Sequence, residues 1–301
     1  PGTVRVFYPT LDGITAGAAL LEGCGHYPLI IFLHGNCIQD QLIYQRWWEI
    51  PAQLCRSGYI VAVPFLLAIQ GTNYPFGAGF LQLPLDVLQW LRTSSEFGNQ
   101  IMCPPATGVV GHSYGALVGA QLATQLRCPY VSLSGGWTEF NEPEWEVLDG
   151  LPGPSLFMWG SGGFGDIYAA LEGPAAALWD RVTTLKHKLA ITNGAHWDYL
   201  RAEEALCATD RGPCDEVPEL ATDLATTFFA KYLPPEQWAS LKTSIGNDLL
   251  PPTNWREQLT PDQQFFAGGF MNGLELFPGT PGCSATHTWQ LPGGATGSNT
   301  F

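Results

Sequence analysis

Ser113 lies at the centre of the pentapeptide GHSYG, whose two outer positions are glycines. The apolar run before it predicts a buried strand at 107–111, and the small residues after it predict a helix at 116–126. A serine on such a strand-to-helix turn projects its hydroxyl above the edge of the sheet. The Tyr114 N–H opens the helix, lacks an intrahelical partner and can donate to an oxyanion. The pattern predicts nucleophilic attack by Ser113 on an acyl carbon.

A serine is a poor nucleophile at neutral pH unless a base takes its proton, and the chain has six histidines. His196 follows the strand predicted at 186–192 and is the candidate base. We expect His112 and His34 to order the backbone near the site, and His187, between two lysines inside a strand, to be solvated. The other two histidines lie in an early loop and in the terminal tail.

The base needs a third group that fixes its tautomer and stabilises the imidazolium. Asp166 lies in a Gly-rich loop after the strand predicted at 155–159 and is the candidate acid, which gives the chain order Ser, Asp, His. Asp180, late in a predicted helix, stays open as the rival. Asp198 is too close to His196 in sequence to reach the ring from the required side.

An oxyanion hole needs a second N–H besides that of Tyr114. Asn36, directly after a buried strand that ends in His34, is the natural donor. In mostly parallel α/β sheets, the functional residues lie in the loops at the carboxyl ends of the strands. The candidate nucleophile, acid, base and oxyanion donors all follow strands in this way and are expected at one edge of the sheet.

Strands and helices alternate along the chain with short connections. The strands are predicted at 4–8, 28–33, 59–64, 107–111, 130–133, 155–159 and 186–192, and the helices at 44–57, 83–97, 116–126, 173–182 and 217–232. This alternation predicts an α/β fold, a mostly parallel central sheet with helices on both faces. Residues 1–233 would form this domain. Only about twenty residues separate the strands at 130–133 and 155–159, so no large lid is expected there.

Three segments, YPLIIFLHGN, GVVGHSYGALVGAQLA and GAHW, resemble the α/β-hydrolase superfamily. Within it they are similar to the group of dienelactone hydrolases, platelet-activating-factor acetylhydrolases and cutinase-like polyesterases. The resemblance implies ester hydrolysis through an acyl-serine intermediate, without a metal or other cofactor. Ser113, Asp166 and His196 would form the triad, and Asn36 with Tyr114 the oxyanion hole.

The polyesterases carry a tryptophan that lines an open cleft, and the segment SGGW puts Trp137 at that position. Trp197, beside the candidate base, is a second candidate for substrate binding. Packing in the core is the alternative for both, and for Trp159 it is the favoured interpretation. The chain departs from the polyesterase pattern in having His112 and Tyr114 on either side of the nucleophile.

The carboxyl-terminal segment, residues 234–301, is longer than this fold needs. It carries too many large aromatic residues for a free linker, and helical hints occur at 236–241 and 261–276. We expect it to pack on the catalytic domain.

The charge balance excludes several classes of protein. With 13 Lys and Arg against 27 Asp and Glu, the net charge is −14, which repels nucleic acids. There is no apolar run of about 18 residues, so no membrane span is expected. The expected partner is an ester substrate, small or polymeric.

Eight cysteines are many for a cytosolic enzyme and form the even set that disulfides require. Cys207 and Cys214 are the expected pair, because Gly212 and Pro213 place a turn between them. Free buried thiols are the alternative, and no zinc-binding spacing accompanies the cysteines. The cysteines favour a secreted or otherwise extracytoplasmic protein. The first residue is Pro1 rather than an initiator Met, and we expect a processed form.

The function predicted by the sequence is therefore a serine carboxylesterase for short to medium acyl esters, polyesters such as PET included. A phospholipid or platelet-activating-factor type acyl hydrolase, or an amidase, is the close alternative. A binding protein on an inactive hydrolase scaffold is the alternative from another class.

Overall fold

The computed structural model describes residues 4–10, 27–35, 49–66, 78–93, 96–101, 106–135, 146–161, 176–196, 198–199, 217–233, 284–290 and 296–300. The strands are β1 (Val4–Phe7), β2 (Leu29–Leu33), β3 (Ile60–Pro64), β4 (Thr107–His112), β5 (Tyr130–Leu133), β6 (Ser155–Ser161), β7 (Lys186–Thr192), β8 (Ser284–Gln290) and β9 (Thr296–Thr300). The helices are α1 (Glu49–Arg56), α2 (Ala78–Thr93), α3 (Tyr114–Leu126), α4 (Glu146–Asp149), α5 (Ala176–Arg181) and α6 (Val217–Tyr232).

The strands form one sheet in the order β1-β3-β2-β4-β5-β6-β7-β8-β9. The strands from β3 to β7 in this order are parallel, and β1, β8 and β9 pair antiparallel with their neighbours. The prediction of a mostly parallel sheet is confirmed. Its parallel strands are linked through helices, as parallel connections require.

Helices cover both faces of the sheet, which is why its central strands are apolar throughout. In β2, Leu29, Ile31 and Leu33 face a core shared with α2 and α3. Ile30 and Phe32 face the opposite core, which is shared with α1 and α6. All five side chains are fully buried, so each successive residue of this strand contributes to one of two cores.

The helix α2 begins earlier than the sequence predicts, at Ala78 rather than near residue 83, and contains Pro84. A proline inside a helix removes one backbone hydrogen bond, so the turn before it needs support from packing. Phe80 supplies that support, because it is buried and its ring lies edge-on to that of Tyr114, with 5.6 Å between centroids. This contact links residues far apart in sequence.

The expectation that His187 is solvated is wrong. Its side chain is completely buried, and its Nε2 lies 3.1 Å from the Tyr232 hydroxyl. The strand β7 lies inside the sheet, between β6 and β8, and the α6 residue Phe228 packs edge-on against the imidazole. Two flanking lysines suggested a surface position, but the neighbouring strand and helix exclude water from this residue.

The carboxyl-terminal segment contributes two strands that extend the sheet. The strand β8 pairs antiparallel with β7, and β9 pairs antiparallel with β8. The sequence did carry a hairpin signal, with the Thr-rich segments 284–290 and 296–300 on either side of the LPGGA connection. The helical hints at 236–241 and 261–276 lie outside the described residues, and the domain boundary at 233 stays a prediction.

Two of the eight cysteines, Cys55 and Cys128, are free thiols. Burial raises the pKa of the Cys128 thiol to about 12, so it is inert at neutral pH. The alternative of free thiols therefore holds for these two cysteines. Cys207 and Cys214 lie outside the described residues. None of the helices in the described ranges is long and apolar enough to cross a membrane.

Candidate active site

Ser113 joins β4 to α3 on a sharply bent backbone. Its φ of 53° and ψ of −122° lie outside the regions that a serine ordinarily occupies. Strain of this kind costs about 1–3 kcal/mol and persists only where the surroundings hold it. The Ser113 N–H donates to the Leu133 carbonyl on β5 at 3.0 Å, and its carbonyl accepts from the Ala116 N–H at 3.0 Å. The side chain remains partly exposed, as a nucleophile must be.

Two glycines allow the close approach of strand and helix at this turn. A Cβ on Gly115 would lie 2.2 Å from the Leu33 carbonyl oxygen and 2.6 Å from that of His34. A Cβ on Gly111 would lie 2.4 Å from the Gly115 carbonyl oxygen. The atoms in the way belong to the backbone of the sheet and the helix, so they cannot move aside cheaply.

Gly115→Ala is expected to lower the free energy of unfolding by more than about 3 kcal/mol, because the new methyl group forces β2 and α3 apart. Urea denaturation would measure this. Gly119→Ala is the matched control on the same helix, where a Cβ meets the side chains of Tyr130 at 3.1 Å and Val109 at 3.2 Å. Those side chains can yield, and alanine favours the helix by about 1 kcal/mol. Equal losses in both variants would contradict this explanation.

His196 lies in the loop after β7, with its Nε2 2.8 Å from the Ser113 Oγ. Its side chain is only 3% exposed. The loop turns at Asn193, which has a φ of 59°. The Asp198 carboxylate then accepts the Ala195 N–H at 2.7 Å. These contacts fix the backbone on both sides of the imidazole.

The adjacent strand β6 makes room for this loop at Gly160. A Cβ there would lie 1.9 Å from the Gly194 carbonyl oxygen. The loop therefore lies directly on the strand, and no other residue type fits at that position.

His112 holds the backbone of His196, the candidate base, through a side-chain hydrogen bond. Its Nε2–H donates to the His196 carbonyl at 2.9 Å, and the centroids of the two imidazole rings are 4.9 Å apart. Burial, with the neighbouring His196, holds the pKa of His112 well below its usual range, so this ring stays neutral. The predicted structural role of His112 agrees with this geometry.

His34 orders the loop that follows β2. Its Nδ1–H donates to the Gly35 carbonyl at 2.7 Å, and its Nε2 accepts the Leu66 N–H at 3.1 Å. Burial lowers the pKa of His34 to about 4. A neutral ring with both nitrogens engaged connects the ends of β2 and β3, in agreement with the predicted loop-ordering role.

Ser134, at the end of β5, is a site residue that sequence reasoning missed. Its Oγ lies 2.7 Å from Nδ1 of His196, on the opposite side of the ring from Ser113. The available signal was its position, because a hydroxyl directly follows the strand next to the nucleophile's strand. Serine after a buried strand is too common for that signal to stand out.

The rival acid Asp180 lies at the wrong end of the sheet. It is exposed on α5, and its carboxylate partly offsets the lowering of the Lys186 pKa by burial. Lys186 is the first residue of β7, whereas His196 follows the last one. A seven-residue strand spans roughly 20 Å, so Asp180 is too far from the imidazole to orient it.

Several predicted site residues lie outside the described residues. These are the acid Asp166, the oxyanion donor Asn36, and the candidate substrate-binding residues Trp137 and Trp197. Trp159, by contrast, is buried at 2% exposure and belongs to the core, as predicted. Within the described ranges, no group of three His, Cys, Asp or Glu side chains could hold a metal ion.

The arrangement is suited to nucleophilic acyl transfer. A partly exposed serine lies within hydrogen-bond distance of a buried imidazole, and the first N–H groups of α3 lie beside it. Tyr114 opens that helix, so its N–H is available to an oxygen atom bound near Ser113. The candidate nucleophile, the candidate base and one candidate oxyanion donor thus lie together at one edge of the sheet.

No protein-family model matches the chain, and no curated protein matches it. The solved structure of a ferulic acid esterase from Streptomyces cinnamoneus is similar, with a TM-score of 0.50 and 14% sequence identity, over 72% of this chain and 70% of that chain. At this identity the likeness concerns the fold. With the sheet topology, it shows that the chain has the α/β-hydrolase fold.

Proposed function

We propose that this chain is a serine hydrolase that cleaves carboxylic esters through an acyl-serine intermediate. The observation that carries the proposal is the 2.8 Å distance between the Ser113 Oγ and the His196 Nε2. Serine becomes nucleophilic when such a base takes its proton. The preferred substrates are esters of short to medium acyl groups, with polyesters such as PET as an extension of the same chemistry.

In the proposed reaction, the Ser113 Oγ attacks the ester carbonyl carbon as Nε2 of His196 takes the hydroxyl proton. The oxyanion accepts hydrogen bonds from the backbone N–H groups of Tyr114 and Asn36. The imidazolium then gives the proton to the leaving alcohol. Water attacks the acyl-serine with His196 again as base, which releases the acid and restores Ser113.

The similar ferulic acid esterase lends support to an ester as the substrate class. That protein, by its name, acts on an ester of an aromatic acid. The fold hosts many activities, so the support for catalysis in this chain comes from the site and not from the likeness. An aromatic acyl group is a reasonable member of the substrate series.

The test is hydrolysis of p-nitrophenyl esters from acetate to palmitate, together with labelling by a fluorophosphonate. We expect turnover that is greatest for short chains and a mass increase located on Ser113. Labelling with turnover only of phospholipid or amide substrates would favour the alternative acyl hydrolase or amidase. A folded protein that neither turns over esters nor reacts with the probe would be a binding protein on this scaffold.

Trp137→Ala tests the proposed substrate cleft. If Trp137 lines it, kcat/KM for aromatic and long-chain esters should fall roughly 10-fold or more, while acetate esters change little, because only large acyl groups would contact the indole. Trp90→Ala is the control, since Trp90 is 46% exposed on α2, outside the site. An equal loss on all esters would assign Trp137 to the core.

A further inference from the structure

We propose that Ser134 is a positioning residue, whose hydroxyl accepts the Nδ1–H of His196 and so holds the imidazole in the tautomer with a bare Nε2. The inference rests on the proposed function and adds a residue to that site. The described contacts form a chain from the Ser113 Oγ through the imidazole to the Ser134 Oγ, with distances of 2.8 and 2.7 Å.

The backbone of Ser134 is fixed where this contact needs it. Its N–H donates to the Met158 carbonyl at 2.7 Å, across the neighbouring strand. Its φ of 45° turns the chain sharply at the end of β5, and the residue is completely buried. The preceding residue, Leu133, accepts the Ser113 N–H. One strand end thus positions both serines relative to the imidazole.

The direction of this hydrogen bond follows from proton counting. A neutral imidazole carries one N–H, and Nε2 must be bare to take the Ser113 proton, so the productive tautomer is protonated on Nδ1. Ser134 must then accept from Nδ1, which directs its own proton elsewhere. Without the Ser134 oxygen, the Nδ1–H loses this acceptor, and the unproductive tautomer protonated on Nε2 becomes more populated.

The Ser134 hydroxyl keeps this role in the transition state. During attack the Ser113 proton moves to Nε2, and the Nδ1–H still points to Ser134, so the hydroxyl stabilises the imidazolium as well.

The kinetic test compares Ser134→Ala and Ser134→Gly with Ser132→Ala, which removes a buried hydroxyl from β5, two residues earlier. Glycine tolerates the positive φ and provides a second variant if alanine impairs folding. For p-nitrophenyl acetate we expect kcat to fall roughly 10- to 100-fold in both Ser134 variants, with KM nearly unchanged. The acidic limb of the kcat/KM profile should move to lower pH. Ser132→Ala should match the wild type.

Unchanged kcat and pH profile in folded Ser134→Gly would overturn the positioning role, while the proposed function would stand.

Imidazole ¹⁵N NMR reads the tautomer without relying on turnover. The His196 signals, assigned by their loss in His196→Gln, should show the proton on Nδ1 in the wild type and a mixture in Ser134→Gly. This outcome would support the inference even if no ester were hydrolysed. The same tautomer in both proteins would overturn the positioning role of Ser134.

Discussion

Ser113→Ala is expected to lower kcat for p-nitrophenyl acetate by on the order of 10⁵- to 10⁶-fold while the fold is kept. Alanine removes the oxygen that forms the acyl intermediate, and His196 then has no nucleophile to activate. Labelling by the fluorophosphonate should disappear together with turnover. A variant that kept more than about a hundredth of the wild-type rate would place the nucleophile elsewhere.

His196→Ala should cost about as much, and the double variant should be no slower than either single one. Nucleophile and base act as a unit, so removal of one leaves nothing for the other to contribute. His187→Gln is the matched control, because His187 is a buried histidine in the strand that precedes the His196 loop. The amide can keep a hydrogen bond to the Tyr232 hydroxyl, and turnover should be retained.

Asp166→Asn is expected to lower kcat by on the order of 10⁴-fold, with little change in KM or in the unfolding transition. An amide has the size of a carboxylate but can donate a hydrogen bond, so it no longer holds the histidine in the productive tautomer. The loss appears in kcat because the interaction strengthens as the imidazolium forms. Steady-state kinetics with p-nitrophenyl acetate and a urea melt would separate catalysis from stability.

Asp180→Asn is the control for the acid. Its carboxylate is exposed near the amino end of β7, so we expect kcat within about 2-fold of the wild type, as for surface changes away from a site. A large loss in Asp180→Asn together with an active Asp166→Asn would reverse the assignment. Losses of similar size in both would point to a general effect of charge and not to a triad.

The strand-to-helix turn at Ser113 could be predicted from the sequence because its determinants are local. The apolar run of β4, the flanking glycines and the small residues of α3 are contiguous, and each acts on its nearest neighbours. The parallel sheet follows from the alternation of such segments. His196 could be found because few histidines follow a predicted strand.

The tertiary structure alone decided the features that depend on distant partners. Phe80 supports the early start of α2 by packing on Tyr114, and Phe228 of α6 packs edge-on against the buried ring of His187. No local pattern encodes these contacts, since each joins segments that only the folded chain brings together.

Ser134 shows the same limit within the site. It contacts His196 at 2.7 Å although 62 positions separate them in the chain. Parallel strands bring their carboxyl ends to one edge whatever their separation in sequence. The sequence determined which residue types reach that edge. The lateral order of the strands and the bend at each strand end decided which of them touch the imidazole.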